Sequence, residues 1–304
     1  MKPIKLPHIL IPPLLVIIGL LGVGCDKKEE TFNPDRLTIG IVSYGDGAVS
    51  LDKYQRFKDY IATHTKTIVE LEPAYNELQA VEQVQRKNWE IVFAPPGLAA
   101  QAMSKSQYTP MFSMEGVSST QRSLLIVRDD KPIQKIGDLS NKIVALGETG
   151  SAAGFYVPLY DLYGLTLSQI RSAPTPQTAL GWVNEGTVDA AALSERDYEI
   201  HRREFPATKF RVLHTSRWIP SGVVLIGPTV ERNRQQQIQK IMREAPPDIT
   251  ADAGYVPAAK IPNYDQFSQL IEKVRPLEEK VKSTPVTLLY QPTPNVVSTP
   301  VRTK

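Results

Sequence analysis

Short apolar strands alternate with amphipathic helical segments along most of this chain, and this alternation constrains its fold more than any other feature. The first strand pattern, Leu37–Val42, is followed by apolar residues at helical spacing over Leu51–His64. A later apolar run, Glu90–Pro96, ends in a proline turn. Because parallel strands need crossover connections, which are usually helices, this order predicts an α/β fold.

The alternation continues in a second block, which begins with the apolar run Ser123–Asp130. We expect two lobes, the second inserted into the first, with the chain crossing between them through the strands SLLIVRD and SGVVLIGP. Such lobes leave a cleft that closes over a small solute. The predicted boundaries are 36–127 plus 221–280 for the first lobe, 128–220 for the second lobe and 281–304 for a disordered Thr/Pro-rich tail.

The N-terminal residues have the pattern of an export signal. Two lysines precede an apolar run over His8–Gly24, and the only cysteine, Cys25, follows directly. A lone cysteine at this position resembles a bacterial lipoprotein signal, in which Cys25 is lipidated. The alternative is an uncleaved membrane anchor, although the run is short and contains two prolines. We predict that 1–25 form the signal with its lipidation site and that 26–35 form a polar tether.

Charge and composition exclude several classes of function. The net charge of +3 at pH 7 is too small and too dispersed for a nucleic-acid groove. The four histidines lack metal-ligand spacing, and there is no second cysteine to complete a metal site. We therefore expect no nucleic-acid partner, no metal and no cofactor.

The segment GETGSAAGFYVP, Gly147–Pro158, joins a predicted strand to a predicted helix and is a candidate anion-binding turn. Free N–H groups at a helix start bind anions, and small residues let a ligand approach the backbone. A nucleophile elbow would need glycine where this chain has Thr149 and Ala153, and the Gly-Lys-Ser/Thr of a phosphate-binding P-loop is missing. We predict that the chain is not an enzyme. The plainer interpretation of the segment is a helix cap and turn.

The most specific motif is I-x-x-I-x-D-L-x-x-K-I-V-A-L over Ile133 to Leu146, followed by S-x-x-G-x-x-x-P. With these motifs, the chain from about Leu37 to Glu244 resembles the phosphonate-binding family of periplasmic solute-binding proteins, the receptors of phosphate, phosphite and phosphonate ABC importers. The resemblance implies a two-lobed type II periplasmic-binding fold with mixed, mostly parallel sheets and two hinge strands. It also implies a small oxyanion ligand, an ABC permease as membrane partner, and a monomer.

The resemblance also indicates where a ligand would bind. The family usually has a Ser-Thr-Ser-Gly turn whose hydroxyls bind phosphonyl oxygens. This chain has Ser151, Ala152, Ala153 and Gly154 there, so it keeps the backbone donors and loses two hydroxyls. Tyr75, before the second predicted helix, matches a tyrosine that faces the cleft in the family, although an ordinary packing tyrosine is the plainer interpretation.

Five further positions are candidates for ligand contact. Thr175 lies where many relatives have a histidine, and Glu195 lies near an acidic residue that pairs with ligand amino groups, although a glutamate at a helix start needs no ligand to explain it. Gln121 stands where relatives often have an aromatic residue. Ser43 and Tyr44 end the first strand, and loops at the carboxyl ends of parallel strands line ligand crevices.

Two hypotheses about function remain open. The first is a lipid-anchored substrate-binding protein of an ABC importer for phosphate, phosphite or a phosphonate. The second is a periplasmic sensor or accessory protein with the same fold and a degenerate or changed ligand site. The missing hydroxyls of the turn motivate the second hypothesis.

Overall fold

Residues 36–42, 50–114 and 121–289 are described by the computed structural model of this chain, and they all lie in one unit that extends from Pro34. The predicted signal, Cys25 and the tether lie outside these ranges. Ser43 and Tyr44 also lie outside them. None of the helices in the described ranges is both long enough and apolar enough to cross a membrane.

The first lobe is built on a six-stranded sheet with the order β12-β4-β11-β3-β1-β2. Its strands are β1 (Arg36–Val42), β2 (Ile68–Ala74), β3 (Ile91–Ala94), β4 (Thr109–Met114), β11 (Val223–Ile226) and β12 (Tyr255–Val256). Its helices are α1 (Asp52–Thr65), α2 (Glu77–Arg86), α3 (Pro96–Lys105), α7 (Arg232–Arg243) and α8 (Pro247–Ala253). Strand β1 is parallel to both β2 and β3, which makes β1 a central strand of two successive crossover units.

The second lobe is built on a five-stranded sheet with the order β10-β5-β9-β6-β8. The strands of this sheet are β5 (Gln121–Arg128), β6 (Ile143–Leu146), β8 (Gln169–Ser172), β9 (Ala190–Ser194) and β10 (Phe210–Ile219). The second lobe also contains the short strand β7 (Thr166–Leu167), which lies outside this sheet. A π-helical turn (Ala152–Tyr156) continues into α4 (Val157–Asp161), and α5 (Pro176–Glu185) and α6 (Glu195–His201) follow. The C-terminal elements are α9 (Asp265–Val274) and β13 (Val286–Thr287).

Both sheets are mixed, which confirms the predicted α/β fold. The two strands that follow a crossing between the lobes run antiparallel to their neighbours. Strand β5 is antiparallel to β9 and β10, and β11 is antiparallel to β3 and β4.

The alternation of side chains along the strands separates three hydrophobic cores. One core contains Val92 of the first lobe and Val144 of the second, and therefore joins the two lobes. The neighbouring residue on β3, Phe93, points to a core under α1 and α7 that belongs to the first lobe alone. Ala145 likewise points to a core under α5 and α6 in the second lobe. The two lobes thus pack on each other on one side of their sheets only.

The strand pairing places the lobe boundaries at residues other than the predicted ones. Strand β5 pairs along its length with β9 and β10, so Gln121–Arg128 belongs to the second lobe and not, as predicted, mostly to the first. The chain therefore passes from the first lobe to the second after β4, which ends at Met114, and returns between β10 and β11 at Pro220–Gly222. A continuous apolar run identifies a buried strand, but it does not show to which sheet the strand belongs.

The predicted tail also begins too early. Strand β13 pairs with β7 of the second lobe, and Val286 and Leu288 are fully buried. Helix α9 packs against α3 of the first lobe and α4 of the second, so it does not belong to the first lobe alone. The rest of the predicted tail, 290–304, lies outside the described ranges.

Candidate functional site

A cavity of about 460 Å³ lies between the two lobes. The first lobe lines it with the carboxyl ends of β1, β3 and β4 and with the starts of α1, α2 and α3. The second lobe lines it with the turn after β6, the start of α5 and the junction of β9 and α6. Strand ends and helix starts meet here from both sheets, which is the usual place for a ligand in an open α/β fold.

The turn Ser151–Gly154 forms part of the second-lobe wall. The Ser151 hydroxyl oxygen accepts a hydrogen bond from the Gly154 N–H at 3.0 Å and so caps the π-helical turn. The N–H groups of Phe155 and Tyr156 both donate to the Ser151 carbonyl oxygen, at 3.2 and 3.1 Å. Within the described part of the chain, the N–H groups of Ala152 and Ala153 have no acceptor. These two donors and the Ser151 hydroxyl proton remain for a ligand that enters the cavity.

The first lobe closes the cavity at this turn by direct backbone contact. A Cβ atom on Gly97, in the first turn of α3, would lie 2.0 Å from the Gly150 carbonyl oxygen and 3.0 Å from the Ala152 nitrogen. Gly150 has a φ of +116°, and a Cβ there would lie 2.7 Å from Cβ of Glu77. Both glycines are therefore required by the close approach of α2 and α3 to the turn.

A buried hydrogen bond joins the lobes behind the turn. The Gln101 amide on α3 donates to the Tyr156 hydroxyl oxygen at 2.9 Å. Burial is the main cause of the raised pKa of Tyr156, and the nearby carboxylates of Glu278 and Glu77 raise it further. The phenol is therefore neutral, and it fixes α3 against the helix that begins at the turn.

The family model of the periplasmic substrate-binding proteins of phosphonate ABC transporters matches residues 39–268, more than half of the chain. The chain belongs to this family. Its members are the substrate-binding components of ABC transporters, which act with a membrane permease, and the family is not one of enzymes. The phosphonate-binding resemblance expected from the motifs is thereby confirmed.

Several solved structures share the fold of this chain. XAC2383 from Xanthomonas citri bound to chloride ion is 18% identical, covers 80% of this chain and 99% of its own, and has a TM-score of 0.67. The same protein bound to ATP gives 17% identity, coverage of 80% and 98%, and a TM-score of 0.66. PhnD1 from Prochlorococcus marinus in complex with methylphosphonate gives 14% identity, coverage of 80% and 99%, and a TM-score of 0.62. The comparison with curated protein sequences gives no match.

The predicted site residues of this family member mostly line the cavity. Residues 151–154 do so as a group, and Tyr75, Thr175 and Gln121 do so individually. Tyr75 is 66% exposed at the start of α2, which leaves its ring free at the cavity wall. The Thr175 oxygen caps α5 by accepting the Thr178 N–H at 3.0 Å. Contact of any of these residues with a ligand stays a prediction.

Glu195 does not line the cavity. Ser194 caps α6, and its hydroxyl oxygen accepts the Asp197 N–H at 3.0 Å. This geometry leaves Glu195 exposed in the first turn, while Arg196 and Asp197 line the cavity instead. Because neighbouring residues on a helix project about 100° apart, an offset of one position is enough to exchange an acidic wall residue for a basic one.

Sequence reasoning missed three basic residues of the cavity wall. Lys53 lies in the first turn of α1, and burial lowers its pKa from the ordinary value. His201 is buried at the end of α6, with Nδ1 2.7 Å from an oxygen of Glu204. Arg196 is the third. The position of Lys53 directly after the first glycine-rich loop was a signal that could have identified it.

Acidic side chains also lie along the wall. Glu77 and Glu148 line the cavity near the turn, and Asp197 lines it at the start of α6. The Asp197 carboxylate accepts a hydrogen bond from the Ser194 hydroxyl at 2.6 Å and is thereby held at the helix start. Within the described ranges, no group of three or more His, Cys, Asp or Glu residues could hold a metal ion.

Proposed function

We propose that this family member is the lipid-anchored substrate-binding protein of an ABC importer and that it binds phosphate, phosphite or a phosphonate. The observation that carries the proposal is the pair of unused N–H groups of Ala152 and Ala153 beside the Ser151 hydroxyl, at the closed end of the cavity. Backbone donors at a helix start, next to small side chains, bind a tetrahedral oxyanion without any charged side chain.

The expected mechanism is closure of the lobes over the ligand. The turn belongs to the second lobe, while Tyr75 belongs to the first, so that an oxyanion at the turn contacts both lobes. A ligand that contacts both lobes binds the closed form more tightly than the open form and shifts the population toward closure. The closed form would then engage the permease as a monomer, with Cys25 as the lipid anchor.

A sensor or accessory role is the second candidate. Two observations favour it: alanine replaces both of the hydroxyl-bearing residues at 152 and 153, and the Thr175 oxygen is already used as a helix cap. A sensor with a changed site would still close on its ligand but would engage a signalling partner in place of a permease. Pull-down from membranes distinguishes the two, because an importer co-purifies with a permease and an ATPase.

Isothermal titration calorimetry with phosphate, phosphite, methylphosphonate and sulfate tests the binding proposal. We expect at least one phosphorus oxyanion to bind with a Kd of about 1 µM or tighter. The variants Ser151→Asn and Ser151→Asp both keep a side-chain oxygen for the helix cap, but only the aspartate places a negative charge at the turn. Binding should survive in the first variant and be lost in the second. Equal binding by both variants, or no heat with any anion, would contradict the proposal.

A further inference from the structure

The cavity is much larger than the anion that the turn would hold. At roughly 30 Å³ per water molecule, a volume of about 460 Å³ accommodates about fifteen waters. A five-atom oxyanion such as methylphosphonate without its hydrogens replaces only about five of them. Most of the cavity is therefore available to another part of the ligand.

The two ends of the cavity lie on different sides of the sheets. The turn Ser151–Gly154 packs with α3 on the side where one hydrophobic core joins both lobes. On the opposite side, the α1 core and the α5–α6 core are separate hydrophobic clusters. Tyr54 and Leu193, which belong to these separate cores, also line the cavity. The cavity thus extends from its closed end at the turn to the starts of α1 and α6, and this second end is called the mouth.

Two cations stand at this mouth, one from each lobe. Lys53 comes from the first turn of α1, and Arg196 comes from the first turn of α6. Neither forms an ion pair or a side-chain hydrogen bond with another residue in the described ranges. Arg56, which lies on α1 like Lys53, is by contrast paired with Asp248 and Asp252. Two like charges that face one cavity from opposite lobes also oppose closure until an anion lies between them.

The carboxylates of the wall are distributed differently. Glu77 lies against Gly150 at the closed end, and Glu148 is two residues from Gly150 in the same turn. Asp197, although adjacent to Arg196, accepts the Ser194 hydroxyl and stays at the helix start. The mouth therefore favours negative charge, while the closed end admits a single anionic group on backbone donors.

We propose, on the basis of the proposed function, that the ligand is a phosphonate or phosphate ester that carries a second anionic group. The phosphoryl group binds at the Ser151–Gly154 turn, and the second group, a carboxylate or another phosphate, binds between Lys53 and Arg196. The chain joining the two groups fills the middle of the cavity against Tyr54. Because the second group neutralises charges from both lobes, it stabilises the closed form beyond what the phosphoryl group alone achieves.

Calorimetry with 3-phosphonopropionate, propylphosphonate and 2-aminoethylphosphonate tests this inference. The first two have the same length and differ in the terminal carboxylate. We expect 3-phosphonopropionate to bind at least about tenfold more tightly than propylphosphonate, as is usual for a charge-assisted contact. The variants Lys53→Gln and Arg196→Gln should each remove most of this advantage of 3-phosphonopropionate over propylphosphonate.

Matched controls exist on the same elements. Lys58 lies on α1 and Arg203 lies two residues after the end of α6, and neither residue lines the cavity, so Lys58→Gln and Arg203→Gln are the controls. Both should keep the full advantage of 3-phosphonopropionate. Equal affinity for 3-phosphonopropionate and propylphosphonate would overturn this inference and leave the proposed function standing. Tighter binding of 2-aminoethylphosphonate would also overturn it, because this result would assign ligand selection to Glu77 and Glu148. If no phosphorus compound binds at all, the proposed function fails and this inference fails with it.

Discussion

Gly97 of the first lobe and Gly150 of the second meet so closely that a methyl group on Gly97 would lie 2.0 Å from the Gly150 carbonyl oxygen. Contacts this short do not occur between a real Cβ and a backbone oxygen, so a larger residue must push the backbones apart. The pair limits how closely the two lobes can approach, because its two members belong to different lobes and meet beside the turn Ser151–Gly154.

Replacing Gly97 by alanine should therefore hold the lobes partly open. We expect Gly97→Ala to weaken ligand binding by roughly tenfold or more, because the closed population falls. The radius of gyration with ligand, measured by small-angle X-ray scattering, should exceed that of the native protein. Gly137→Ala is the matched control, since a Cβ there would meet nothing closer than 4.0 Å. Native affinity in Gly97→Ala would show that the contact does not limit closure.

The Gln101–Tyr156 hydrogen bond should contribute to stability more than to binding. Tyr156→Phe removes the buried hydroxyl oxygen that accepts from the Gln101 amide at 2.9 Å. We expect the free energy of unfolding in urea to fall by about 1–3 kcal/mol, the usual cost of a buried donor left unpaired. Tyr160→Phe, on the next turn of the same helix, should change it much less. A similar loss in both variants would show that the Gln101–Tyr156 hydrogen bond contributes no more to the free energy of unfolding than the hydroxyl group of Tyr160.

The start of the predicted tail offers a sharp test because two neighbouring leucines differ in burial. Leu288 is fully buried and its N–H donates to the Leu165 carbonyl oxygen at 2.8 Å, whereas Leu289 is 36% exposed. Leu288→Ala should lower the free energy of unfolding by about 2–4 kcal/mol, and Leu289→Ala by well under half of that. If both substitutions are neutral, this segment does not pack on the second lobe.

Glu90 should make the stability of the first lobe depend on pH. Burial is the main cause that raises the pKa of Glu90 above its ordinary value, and the Thr38 N–H, at 2.6 Å from a carboxylate oxygen, partly opposes this. A carboxyl group with a raised pKa binds protons more strongly when folded. Its contribution to stability is therefore largest at low pH and decreases as pH rises from the ordinary value through the folded pKa.

The comparison of native protein with Glu90→Gln isolates this effect. The amide keeps an acceptor for the Thr38 N–H but does not titrate. The unfolding free energy of Glu90→Gln, relative to the native protein, should rise in urea denaturation as the pH increases above the ordinary glutamate pKa of 4.5. Glu185→Gln, at an exposed position on α5, is the matched control for the substitution. A difference for Glu90→Gln that does not change with pH would contradict the assigned cause.

The turn Ser151–Gly154 in the cavity wall and the two-lobed fold could be predicted from the sequence because each depends on local patterns. Small residues after an apolar strand specify the turn around Ser151, and strand–helix alternation specifies the lobes. The wall of the cavity could not be predicted to the same precision. Glu195 and Arg196 are adjacent in the sequence, and only the capping of α6 by Ser194 decides which of them lines the cavity.

Long-range pairing explains the remaining differences. Strand β5 and the segment around Val286 each have an apolar pattern that fits either lobe, and their partners are distant in the sequence. Val286 and Leu288 alternate with exposed neighbours, which is a strand pattern too short to stand out among the surrounding threonines and prolines. Their burial depends on β7, about 120 residues earlier, and nothing local specifies that contact.

Because β13 pairs with β7, the two ends of the described chain lie on different lobes. Strand β1 begins at Arg36 in the first lobe, and the last described residue, Leu289, follows β13 on the second. A donor dye near Arg36 and an acceptor dye near Leu289 would therefore report ligand-driven closure as a change in energy transfer. The two attachment points lie outside the residues that line the cavity, so that the motion could be followed in single molecules without altering the ligand site.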